Sequence, residues 1–150
     1  MSTNKILFVD DEPNVRETIK ELLLFKNYDV ITAANGQEAL NLLEYWIPDL
    51  IICDMVMPVM NGTELHENVK NNEFLSNIPF IFLSAKNEID LIRKCLQNGA
   101  DDFLTKPFKF NELIHVVTTT LERFEKNKNV QSNLQSVKKK RLSQLNNCSC

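Results

Sequence analysis

Short apolar runs alternate along the chain with longer stretches in which apolar residues return every third or fourth position. The runs at residues 6–9, 28–32, 50–53, 78–83 and 103–104 are bounded by polar or turn residues and are mostly β-branched or aromatic. Such runs predict short buried strands. Between them, residues 14–26 place Val15, Ile19, Leu22 and Leu23 on one face, and residues 37–46 do the same with Ala39, Leu40 and Leu43. Residues 63–72, residues 87–98 with Ile89, Ile92, Cys95 and Leu96, and a last stretch from Phe110 onward complete five predicted helices. The order is strand then helix, five times over. Strands apolar on both faces, each followed by a helix, predict an α/β domain: a doubly wound five-stranded parallel sheet flanked by five helices. The turns agree. Pro13 suits the first turn of a helix, Asn35-Gly36 precedes the second, and Gly99 sits where a residue ending a helix takes positive φ.

Composition narrows the function classes. The 150 residues suit one domain, 43% are hydrophobic and 25% charged, and the three glycines lie too far apart for a phosphate-cradling loop. Charge is uneven: residues 1–120 carry ten Lys and Arg against eighteen Asp and Glu, whereas residues 121–150 carry seven against two. The acidic body would repel nucleic acid, and direct nucleic-acid binding is not expected. Cys53 and Cys95 read as packed thiols, and Cys148-Ser149-Cys150 lies at a polar terminus without further metal ligands. Neither a signal peptide nor a membrane span is expected, since the apolar stretch near the N-terminus covers only residues 6–9. These features predict a cytoplasmic protein in a reducing compartment.

In open α/β sheets ligands bind beyond the carboxyl ends of the strands, so the residues following each strand carry the functional signal. Asp10, Asp11 and Glu12 follow the first, Asp54 and Met55-Val56-Met57-Pro58 the third, Ser84 and Ala85 the fourth, and Thr105, Lys106 and Pro107 the fifth. Singly, each reads as a helix cap, a turn former or a solvated charge. Together they bring carboxylates, a hydroxyl and an ammonium to one edge of the sheet. Three converging carboxylates call for a cation, and hard oxygen ligands with room for water describe Mg²⁺. Lys106 would then face a second anionic group, for which a phosphoryl group fits.

The acidic pair, D-M-V-M-P-V-M-N-G after the third strand, S-A after the fourth and G-A-D-D-F-L-T-K-P-F resemble the receiver domain of two-component response regulators. The resemblance covers about residues 4–125, with 126–150 left as a basic helical extension or linker. It implies a flavodoxin-like fold and a phosphoacceptor switch rather than an enzyme. Asp54 would accept a phosphoryl group from the phosphohistidine of a sensor histidine kinase or phosphotransfer protein. Asp11 would bind Mg²⁺ with Asp54 and the backbone carbonyl of Val56, while Asp10 orients the metal's waters or adds charge. Lys106 would pair with one phosphoryl oxygen, Ser84 would donate to another, and the small Ala85 would leave room for the group. Ser84 and Phe103 would form the switch, changing the face of the fourth helix, fifth strand and fifth helix toward a downstream protein or output domain. Lys106-Pro107 resembles a peptide that the family holds in cis.

Some positions depart from common patterns. The fifth helix reads Glu112-Leu113-Ile114-His115-Val116-Val117 and lacks the arginine that the winged-helix branch uses for a salt-bridged dimer, leaving a homodimer open. Lys138-Lys139-Lys140-Arg141 in the tail reads as a solvated face. The rival reading is an aspartate-nucleophile phosphohydrolase. Those enzymes usually carry D-x-D after the first strand, where this chain has Asp10-Asp11-Glu12.

Overall fold

The computed structural model describes residues 3–127. Five parallel strands, β1 (Lys5–Val9), β2 (Asp29–Ala33), β3 (Leu50–Asp54), β4 (Phe80–Ser84) and β5 (Asp102–Thr105), form one sheet in the order β2-β1-β3-β4-β5. Helices α1 (Pro13–Phe25), α2 (Gly36–Leu43), α3 (Gly62–Lys70) and α4 (Ile89–Gln97) alternate with them. A fifth, α5, runs through residues 110–127 of the described chain. The predicted alternation and doubly wound parallel sheet are therefore the observed fold. Residues 128–150 lie outside the described residues, and with them nearly all of the basic extension and Cys148 and Cys150. Among the described residues no helix is long and apolar enough to cross a membrane.

Alternation of side chains across each strand builds two cores. Leu7, Val9, Ile51, Cys53, Phe80 and Phe82 point to one face and pack beneath α2, α3 and α4. Ile6, Phe8, Leu50, Ile52, Ile81 and Leu83 point to the other and pack beneath α1 and α5. Because both faces are covered, the strands carry no polar alternation. Burying each large apolar side chain contributes roughly 1.5–3 kcal/mol, so the central strands dominate the stability.

The strand and helix ends differ from the predicted ones for local reasons. Tyr28 donates its amide to the Leu23 carbonyl at 3.1 Å and so belongs to the turn leaving α1, which delays β2 to Asp29. Ile78 donates to Leu75 at 3.0 Å, and Pro79 has no amide to pair, so β4 begins at Phe80 rather than at residue 78. Asn35 and Asn61 cap α2 and α3 by accepting the amides of Glu38 and Glu64, each at 2.9 Å. A 3-10 turn at Lys86–Glu88 precedes α4. Gly99 adopts φ +104, where a side chain is strained.

Strand order reverses between β1 and β3, and the register there sets the site. Val9 lies beside Cys53, Asp54 beside Leu83, and Ser84 beside Thr105. The four strands thus end within about two residues of each other. Asp10, Asp54, Ser84 and Lys106 consequently emerge along a single edge.

Candidate functional site

Asp10 is the fixed point of that edge. It is 0% exposed, and every polar group it carries is occupied. Its amide donates to the Ala33 carbonyl at 3.1 Å, and its carbonyl accepts Arg16 Nη1 at 2.8 Å. Its Oδ1 accepts the Glu12 amide at 2.9 Å and its Oδ2 accepts Lys106 Nζ at 3.0 Å. Asp11, next in the chain, is exposed. The two neighbours therefore differ in freedom: Asp10 is held and Asp11 can take an external ligand. Neither caps α1, whose N-cap residue is Glu12.

Asp54 closes β3 with a half-buried carboxylate whose Oδ2 lies 3.2 Å from Lys106 Nζ. Burial pushes its pKa up; the Lys106 charge opposes this, while Asp10 and Asp11 reinforce it, and the net direction is upward. For Lys106, burial works against the charged form. The hydrogen bond to Asp10 and the charges of Asp54 and Asp10 outweigh it, and its pKa rises. One carboxylate oxygen from each of Asp10, Asp11 and Asp54 lies within 4.8 Å of the others. Three hard oxygen donors at this spacing suit a divalent cation that retains water, which is the coordination habit of Mg²⁺.

The remaining predicted residues fall around this cluster. Ser84 is 1% exposed, yet its Oγ has no hydrogen-bond partner among the described residues, so it is not a helix cap. Its carbonyl accepts the Lys106 amide at 2.7 Å, tying the ends of β4 and β5 together. Val56 lies two residues beyond Asp54 with a side chain 61% exposed. Phe103 is half-buried against the core beneath α2, α3 and α4. The Lys106–Pro107 peptide is cis.

Three further residues shape the site without having been singled out from sequence. Arg16 grips the Asp10 carbonyl; its signal was a cation in the first turn of α1, where the helix dipole disfavours one. A Cβ on Gly62 would collide with the Asp54 carbonyl, so this glycine allows α3 to start directly against the end of β3. Glu88 Oε2 accepts the Ala85 amide at 3.3 Å, beside Ser84. Cys53, buried next to the cluster, has its thiol pushed well up by burial and by Asp54 and Asp10, and stays protonated.

Comparison with known proteins gives the class to which this fold and its acidic edge belong. Residues 6–118 match the response regulator receiver domain, and the chain belongs to that family. The phosphate regulon transcriptional regulatory protein PhoB of Pseudomonas aeruginosa is 40% identical over 118 residues, covering 79% of this chain and 52% of that protein. The signal receiver domain of a histidine kinase from Syntrophus aciditrophicus superposes with a TM-score of 0.73 at 38% identity, covering 80% of this chain and 91% of that one. The receiver domain of sensor histidine kinase PA1611 from Pseudomonas aeruginosa, with magnesium coordinated in its active site cleft, matches at a TM-score of 0.73 and 31% identity. That match covers 81% of this chain and 99% of the other. This chain spans about half of PhoB and 8% of a hybrid signal transduction histidine kinase from Dictyostelium discoideum.

Proposed function

We propose that this chain is a phosphorylation switch whose phosphoacceptor is Asp54 and whose donor is the phosphohistidine of a sensor histidine kinase or phosphotransfer protein. The observation that carries the reading is Lys106 Nζ held between Asp10 and Asp54, with the buried hydroxyl of Ser84, unpartnered among the described residues, at the end of the adjoining strand. In the transfer an Asp54 carboxylate oxygen forms a bond to phosphorus, the phosphorus–nitrogen bond breaks, and the imidazole leaves with the electron pair and takes a proton from water. Asp11 and Asp54, with the carbonyl of Val56, would hold Mg²⁺, and Asp10 would orient its waters. When bound, the ion would supply charge neutralisation for the carboxylates and the transferred group. Lys106 exchanges its contact with Asp54 for a phosphoryl oxygen while keeping Asp10. Ser84 donates its free hydroxyl to another oxygen.

The switch follows from differential contacts, since a bound group shifts an equilibrium only by what it gains in one state over the other. Ser84 gains a partner only when Asp54 is phosphorylated. Its movement opens space toward Phe103, which turns inward, and the α4, β5 and α5 face is remodelled for a downstream protein or output domain. Ile89 and Leu96 on α4 are exposed and offer apolar contact to such a partner. The domain is read as residues 4–125, working in the cytoplasm as a switch rather than as an enzyme.

Mass spectrometry after incubation with acetyl phosphate or phosphoramidate and Mg²⁺ tests this reading. One phosphoryl adduct, lost in Asp54→Asn, is expected. Catalytic turnover of p-nitrophenyl phosphate without a lasting adduct would instead establish the phosphohydrolase.

A further inference from the structure

The groove between α3 and α4 contains chemistry that the acidic edge does not use. It encloses about 370 Å³, within the range of small-molecule sites, and is lined from one side by His66, Glu67 and Lys70 and from the other by Leu91, Lys94 and Cys95. His66 is 4% exposed; its Nε2 is enclosed without a hydrogen-bond partner among the described residues, which leaves Nδ1 as the ring nitrogen open to the groove. Its ring stands edge-on to Phe80 and Phe82, with centroids 4.8 Å and 5.4 Å away. Burial, and then Lys70, pull its pKa down to about 4, so at neutral pH the ring is uncharged and carries one N–H to donate.

Two lysines line the same groove: Lys70, whose charge acts on that imidazole, and Lys94 across from it on α4. Among the described residues neither Lys70 nor Lys94 has a carboxylate within 4.0 Å, although Glu67 precedes Lys70 by three positions and Asp90 precedes Lys94 by four. Lys70 uses one donor on the Ser76 carbonyl at 3.1 Å and retains two. In a body with a large acidic excess, two unneutralised cations in one groove with an imidazole donor make a local environment for an anion. Leu91 and Cys95 form an apolar wall. Burial raises the Cys95 thiol, which therefore acts as packing surface and not as a nucleophile.

We propose that the α3–α4 groove binds a small organic carboxylate, its anionic end between Lys70 and Lys94 and accepting from His66, its carbon body against Leu91 and Cys95. Glu67, exposed at the rim, selects against a second negative charge at that end. A ligand so placed bridges α3 to α4 and braces the helix that the proposed switch uses. This consequence rests on the proposed function; the binding does not.

The test is a titration of the whole ¹⁵N-labelled chain with sodium butyrate, read by NMR against sodium chloride at equal ionic strength. Saturable shifts at His66, Lys94 and Cys95 are expected, with affinity at least tenfold weaker in the Lys70→Met, Lys94→Met double variant. Asp54→Asn should bind butyrate unchanged, which separates this site from the phosphoacceptor reading. Shifts that grow linearly, that chloride reproduces, or that the double variant retains would overturn the proposal, as would inorganic phosphate binding at the same residues more tightly than butyrate.

Discussion

Lys106 Nζ lies 3.0 Å from Asp10 Oδ2 across a separation of 96 positions in the chain. Asp10 is fully buried and the lysine side chain only partly so, which makes the cation the solvent-facing half of the pair. Removing it leaves two carboxylates, Asp10 and Asp54, without their common partner. Lys106→Met should therefore destabilise the fold by about 1–3 kcal/mol at pH 7, less than a fully buried pair because water screens Lys106. Urea unfolding checks this, and an unchanged midpoint would contradict it.

Asp54 behaves in the opposite sense. Its folded pKa is raised, so the folded state binds the Asp54 proton more tightly than the unfolded chain does. The associated stability is present below the usual carboxylate range and is lost as pH rises through the folded pKa, leaving an ionised Asp54 that costs stability at neutral pH. Asp54→Asn should raise the urea midpoint at pH 7, and the gain should shrink as the pH is taken to 3. Equal stability of the two proteins at pH 7 would show that Lys106 fully offsets the burial of the carboxylate.

His66 supplies a second pH dependence, away from the acidic edge. Its pKa falls from 6.5 to about 4, with burial the larger cause and Lys70 the smaller. The unfolded chain takes up a proton near pH 6.5 that the folded chain refuses until about pH 4, so stability present above pH 6.5 is lost as pH falls through this window. The full difference corresponds to about 3 kcal/mol. Thermal melts of the parent and His66→Phe between pH 7.5 and pH 4 should diverge as the pH falls, with the parent losing more. Parallel curves would place His66 in contact with water.

The loop after β3 carries backbone strain. Val59 adopts φ 67, a region that β-branched residues avoid, and Met60 donates its amide to the Pro58 carbonyl at 2.8 Å across it. Its side chain is 80% exposed, so little packing is lost by replacing it. Val59→Asn should stabilise the protein by about 1 kcal/mol, because Asn tolerates positive φ at lower cost. Val59→Gly should gain less, since glycine gives back part of the benefit as unfolded-chain entropy. A drop in the urea midpoint for Val59→Asn would show that the valine side chain holds the loop.

Most of this architecture was legible from residue patterns because the strands are buried on both faces and the helices are amphipathic. Both signals are large compared with local turn preferences. Asp10, Asp11, Asp54, Ser84 and Lys106 were legible for a topological reason: parallel strands joined by crossovers end on one edge, so residues following separate strands must meet. What escaped depends on single hydrogen bonds or on close backbone approach. Tyr28 is apolar enough for a strand but gives its amide to Leu23. Arg16 stands out as a cation in the first turn of α1, but its partner, the Asp10 carbonyl, is set by the path of the loop after β1. The closeness of Gly62 to the Asp54 carbonyl is set by the angle at which α3 leaves the sheet, which no periodicity encodes.

Val56 allows a test of the proposed chemistry that leaves the fold alone. It stands two residues after Asp54 and its side chain is largely exposed, so substitution there costs no core packing. If Asp54 carries a phosphoryl group, the water that hydrolyses it must approach from the open side of the site, and an apolar side chain nearby offers that water no hydrogen bond. Val56→Asn supplies one. A single hydrogen bond contributes about 1 kcal/mol, so the phosphoryl lifetime should shorten roughly fivefold. The decay of the phosphorylated species after removal of acetyl phosphate, followed by intact-protein mass spectrometry, measures this directly. A lifetime equal to that of the parent would mean that the water reaches Asp54 by a path Val56 does not border.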